Sequence, residues 1–154
     1  MTTRGIQFLK SRGIRHQVIK YRHEAKGAEF AAQAAGFPLA QTVKTLVVAL
    51  DDNRYVFVLM PGDRQLSMKK IAGACSVKRA AMADTATAQR LTGYLVGGIS
   101  PFGSQKGLPV FIESSLQCFP EVMINAGRRG IMVKMAPADI VRILDAKTAE
   151  LVQP

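Results

Sequence analysis

Cysteine is scarce in this chain: Cys75 and Cys118 are its only two, and they stand far apart. A disulfide framework is therefore not expected, and the cytoplasm is the default compartment. No apolar run is longer than a strand, so no membrane span is predicted. The N-terminal MTTRGIQFLKSRG lacks the long apolar core of a secretory signal. Low-complexity tracts and repeats are missing too. So are several catalytic signatures: no G-x-S-x-G elbow, no H-E-x-x-H and no C-x-x-C occurs. His16 and His23 do not have a usual metal-ligand spacing, and no metal or cofactor is expected.

Acidic residues are also in deficit. Eleven Asp and Glu face 21 Lys and Arg, a net charge of +10. The first 26 residues carry seven basic groups and Glu24 as their only acid. Such an excess favours polyanions, RNA or DNA phosphate backbones among them. The basic positions are spread through the chain, which argues against a membrane-surface helix. No recognition helix with clustered base-reading residues is apparent, which argues against a DNA-binding regulator.

What is present describes one folded unit. A hydrophobic content of 48% over 154 residues suits a single domain, 1–154, with a real core. Thr3 predicts the cap of a short helix ending near Gly13, and His16 to Tyr21 reads as a strand. Ala28 to Ala35 predicts a helix stopped at Gly36. VKTLVVAL, the turn Asp51-Asp52-Asn53 and YVFVLM form the strongest hairpin. Ser67 and Asp84 predict two further helix starts. Strands follow at Val110–Ile112, Val122–Ile124 and Ile131–Met135, then a helix opened by Pro137. Helices and strands mix without a βαβ rhythm, so the expected class is mixed α/β, with a mixed or barrel-like sheet and peripheral helices.

The most informative stretch is GYLVGGISPFG, Gly93 to Gly103. Gly97, Gly98, Ser100, Pro101 and Gly103 put five turn formers within seven positions. Glycine lets a backbone approach a ligand closely, and proline stiffens the turn. Successive amides in such a turn can form an anion site. The spacing matches neither a dinucleotide nor a Walker-type loop. Lys44 is the second candidate. On a strand it shares a face with Leu46, Val48 and Leu50, where an ammonium needs a partner or a wet cavity. A snorkelling edge lysine is the plainer alternative. Arg128-Arg129, in a Gly-flanked turn, could grip phosphate or form a solvated hairpin tip.

Taken together, Tyr21-Arg22-His23, VKTLVVAL with Lys44, GYLVGGISPFG and NAGRRG resemble the YbaK/prolyl-tRNA-synthetase-associated editing-domain family. The similarity runs from about Ile6 to Asp145. It implies a six-stranded, mixed, barrel-like sheet surrounded by helices. It implies that Lys44 is the catalytic lysine, with Thr45 beside it in the pocket. Tyr21 and Phe30 would be aromatic walls, and Gly97, Gly98, Ile99, Ser100, Pro101 and Gly103 the glycine loop. Asn125, Gly127 and Arg128 would border the pocket. Met132 stands where some members carry an acid, so no carboxylate is implied there.

The activity implied is trans-editing: deacylation of Cys-tRNA(Pro) and Cys-tRNA(Cys) at the tRNA acceptor end, with prolyl-tRNA synthetase as the implied partner. In this scheme Lys44 and amides near Gly98 to Ser100 hold the ester and the terminal ribose-phosphate. The substrate's own thiol attacks, giving a thiolactone, so no protein nucleophile is needed. The competing readings are a non-catalytic module binding tRNA or the synthetase, and an editing domain for Ala- or Ser-tRNA.

Overall fold

The computed structural model describes residues 2–22 and 27–154. Five α-helices and two sheets make up a mixed α/β fold among them. The chain opens with α1 (Arg4–Ser11), β1 (Gln17–Lys20) and α2 (Ala28–Ala35). The hairpin β2 (Val43–Leu50) and β3 (Tyr55–Pro61) follows, then α3 (Met68–Ala74), β4 (Ala80–Met82) and α4 (Thr85–Thr92). After the glycine loop come β5 (Val110–Glu113), β6 (Val122–Arg128), β7 (Ile131–Met135), α5 (Pro137–Leu144) and β8 (Lys147–Ala149).

Local chemistry explains the helix starts. Thr3, Ser67 and Asp84 each accept a hydrogen bond from an N–H in the first turn, those of Ile6, Lys70 and Thr87. α2 and α4 end on glycines in the left-handed region, Gly36 and Gly93.

The larger sheet has the order β4-β2-β3-β5-β8, antiparallel around β2 and parallel from β3 through β8. β3 lies at its centre and is covered on both faces, which is why it reads as an unbroken apolar run. Phe57 and Leu59 enter one core cluster, Val56, Val58 and Met60 another. α3 covers the second cluster through Ile71, and Cys75 at its C-cap joins it.

The smaller sheet, β1-β7-β6, is antiparallel. Val122, Ile124, Val133 and Met135 face the first cluster, together with Ile6 and Leu9 of α1 and Ile140 of α5. Met123 and Met132 face the other way and pack under Ala31 of α2. The two sheets thus stack on one core, with α2 outside the smaller one.

The expected six-stranded barrel-like sheet is not what forms. Two separate sheets are present, and the larger is not closed. A single parallel bridge, Thr42 to Met123, joins them. The physical reason lies in β2. β4 pairs only with Val48, Ala49 and Leu50, and β6 meets the chain only at the Thr42 bridge, so the stretch between has no ladder partner on that side. A cavity occupies the gap.

Candidate active site

That cavity has a volume of about 320 Å³. Five consecutive β2 residues, Val43 to Val47, line it. A strand buried in a sheet would offer alternate residues to one side, so consecutive lining marks an exposed edge. The other walls come from the start of α2, from Met82 to Ala88, from Val96, Gly97 and Ile99, and from Asn125 and Met132. Among the described residues that line it there is no carboxylate, histidine or cysteine.

The hydrogen-bond parity of β2 adds detail. The Leu50 N–H donates to Arg54 on the β3 side, at 2.8 Å. The Val47 carbonyl accepts from Ala83 on the opposite side, at 3.0 Å. In an antiparallel ladder the direction alternates, so the Thr45 peptide groups look into the gap with those of Val47. The Thr45 hydroxyl oxygen is itself buried without a hydrogen-bond partner among the described residues. An unpaired buried hydroxyl costs free energy unless something binds it.

Lys44 is half-buried at this edge. Burial pushes its ammonium below the usual lysine range, and Asp63 pulls it back up. Asp63→Asn is therefore expected to lower the Lys44 pKa further. A 13Cε NMR titration checks this, and an unchanged midpoint would remove Asp63 from the site's electrostatics.

The glycine loop is fixed from several directions. The Tyr94 hydroxyl donates to the Phe102 carbonyl, closing the loop on itself. The Arg4 guanidinium lies over the Tyr94 ring, 4.6 Å from its centroid. The Gln89 side chain accepts from the Val96 N–H at 3.0 Å. Asn125 ties this loop to the β6–β7 turn: its Nδ2 donates to the Gly97 and Arg128 carbonyls, both at 3.3 Å. Its Oδ1 accepts from the Gly127 and Arg128 amides at 2.7 and 3.1 Å.

The structure divides the residues expected from the sequence. Lys44, Thr45, Gly97, Ile99 and Asn125 meet at the cavity wall. Gly98 does not: its N–H donates to the Leu95 carbonyl at 2.9 Å, so it closes the turn. The Gly97 and Ile99 amides have no acceptor among the described residues. Ser100 is fully buried, and its Oγ accepts from the Phe102 N–H at 3.1 Å. Pro101 is buried beside it, and Gly103 packs against the backbone of Arg4. These three residues brace the loop from behind.

Tyr21 and Phe30, expected as aromatic walls, are outside the cavity lining. Their rings pair at 6.2 Å, and Tyr21 packs against the Ala31–Met123–Met132 cluster. Gly127 and Arg128 border a separate, neighbouring cavity. His23 lies outside the described residues. Sequence reasoning missed Val43, Val47, Met82 and Ala83, for which an edge strand gives no signal of its own. Ala31 is different, since the alanine-rich α2 hints at space left beside a small residue.

The aminoacyl-tRNA editing domain model matches residues 22–143 of this chain. The chain belongs to that family. A relative from Enterococcus faecalis, EbsC, is named provisionally as a Cys-tRNA(Pro)/Cys-tRNA(Cys) deacylase. It is 31% identical over 124 residues, covering 80% of this chain and 76% of its own. The Escherichia coli K12 protein ProXp-y is named as a multifunctional Ser/Thr-tRNA deacylase. It is 30% identical over 143 residues, covering 90% of this chain and 84% of its own. A crystal structure described provisionally as a trans-editing enzyme for prolyl-tRNA synthetase superposes with a TM-score of 0.89. Its identity is 26%, over 98% of this chain and 96% of that one. Like other features of this editing domain, the helices are short: among the described residues none is long and apolar enough to cross a membrane.

Proposed function

We propose that this editing domain is a trans-acting deacylase that clears cysteine from mischarged tRNA(Pro), and from tRNA(Cys). The observation that carries the reading is the cavity at the open β2 edge. It brings a partly desolvated ammonium together with Gly97 and Ile99, whose amides have no acceptor among the described residues, and none of its described lining residues is a histidine or cysteine. An aminoacyl ester is already activated, so orientation and stabilisation of negative charge suffice.

In this reading the ester carbonyl faces the Gly97 and Ile99 amides and Lys44. The inward-facing Thr45 carbonyl accepts from the substrate's α-ammonium. The cysteine thiol attacks its own ester carbon, forming a carbon–sulfur bond as the bond to the ribose oxygen breaks. The thiol proton ends on that oxygen, giving a thiolactone and free tRNA. The largely apolar wall favours a thiol, which is less costly to desolvate than a hydroxyl.

The unpartnered Thr45 hydroxyl favours a second reading, in which a serine or threonine hydroxyl occupies the cavity. A deacylation panel separates them: Cys-, Ser-, Thr-, Ala- and Pro-tRNA(Pro), with and without prolyl-tRNA synthetase. Fastest loss of Cys-tRNA(Pro), with free thiol disappearing before it returns by hydrolysis, is expected. Equal inertness of all five would refute the enzymatic reading and leave a non-catalytic tRNA-binding module.

A further inference from the structure

A second cavity, of about 420 Å³, lies on the other side of the glycine loop. Its walls include Tyr94, Leu95, Gly98, Gly127, Arg128 and Arg129, and it shares Val96 with the first cavity. None of the described residues that line it is acidic. Arg129 is its distinctive member. The guanidinium lies against Gly97, where a Cβ would sit 2.7 Å from Nε. One terminal nitrogen, Nη2, reaches the Val96 carbonyl at 3.4 Å. Nε is buried and has no partner among the described residues.

A buried guanidinium N–H without an acceptor is costly, and planar, delocalised guanidinium is well suited to phosphate. The two cavities adjoin along the three-residue stretch Val96 to Gly98, so one extended ligand can reach both. An ester held beside Gly97 belongs to a terminal nucleoside whose 5′ oxygen carries a phosphodiester. The geometry points to Arg129 as the receptor for that phosphodiester, with the second cavity taking the acceptor strand one nucleotide upstream.

This inference rests on the proposed tRNA substrate, but it is testable without catalysis. The probes are the dinucleotide CpA, adenosine and inorganic phosphate, titrated by NMR against the full chain. CpA is expected to shift the Gly97, Gly98 and Arg129 resonances and to bind at least about tenfold tighter than adenosine. Arg129→Gln should remove that advantage while adenosine affinity stays the same, which also reports an intact cleft. Equal CpA binding by wild type and Arg129→Gln would overturn the assignment. So would loss of adenosine binding in the variant, or displacement of CpA by phosphate alone at equal concentration. A chain that deacylates nothing yet binds CpA through Arg129 would refute the enzymatic reading and leave this one standing.

Discussion

Replacing Lys44 with methionine is expected to slow deacylation of Cys-tRNA(Pro) by on the order of 10²–10³-fold, the loss typical of removing one donor to a developing oxyanion. The fold should be at least as stable as before. Those two outcomes come from one physical fact, the partial burial of the ammonium. Burial lowers the Lys44 pKa in the folded chain below its unfolded value, Asp63 offsetting only part of the shift. Protonation therefore opposes folding at neutral pH. The penalty fades as pH rises through the folded pKa toward the unfolded one. Methionine fills similar space without the charge, so the penalty at pH 7 disappears with the activity.

Single-turnover deacylation and thermal unfolding by circular dichroism measure the two halves. A folded Lys44→Met protein that retains most of its rate would exclude the lysine from the reaction. A large fall in melting temperature would instead make it a structural residue. A charge that costs stability and supplies rate is the pattern expected of a functional group held in a site for its chemistry.

Much of the fold was legible because its determinants are local. Thr3, Ser67 and Asp84 announce helices by bonding to amides three residues on, which sequence spacing reveals directly. The β2–β3 hairpin is equally local, closed by Asp51-Asp52-Asn53. The misses are non-local. β4 and β8 have three residues each and no apolar alternation, and they exist only through their partners β2 and β5. The resemblance suggested a barrel-like sheet, whereas the early end of β4 leaves β2 open and creates the cavity.

The site divides on the same principle. Lys44, Thr45, Gly97, Ile99 and Asn125 carry distinctive chemistry or turn geometry, and they converge. Tyr21 and Phe30 suggested a pocket wall, but which side of β7 they cover depends on how α2 docks. The two arginines show the limit most sharply. The β6–β7 pairing slips between Asn125 and Arg128, and that irregularity decides which arginine turns onto the loop. A sequence with two adjacent arginines cannot announce which one it will be.

Gly98→Ala is expected to have the other large effect, and for a reason unrelated to charge. Its added Cβ would sit 2.8 Å from the Arg128 Cα and 2.8 Å from the Arg129 nitrogen. Both contacts are backbone, so no side-chain rotation relieves them. Either the glycine loop or the β6–β7 turn must move, and Asn125 links the two through the Gly97 carbonyl. Separating them withdraws the Gly97 and Ile99 amides from the cavity wall. Overpacking of this kind costs about 1–3 kcal/mol of stability, and misplacing reacting groups by roughly an ångström costs about 100-fold in rate. Gly73→Ala is the matched control: nothing lies within 4 Å of its Cβ, and it stands inside α3. Alanine there should be neutral or stabilising by up to about 1 kcal/mol. If Gly98→Ala melts lower yet deacylates at the wild-type rate, the loop amides take no part in holding the ester. If Gly98→Ala and Gly73→Ala behave alike in both assays, the two loops do not meet closely enough to form the site at all.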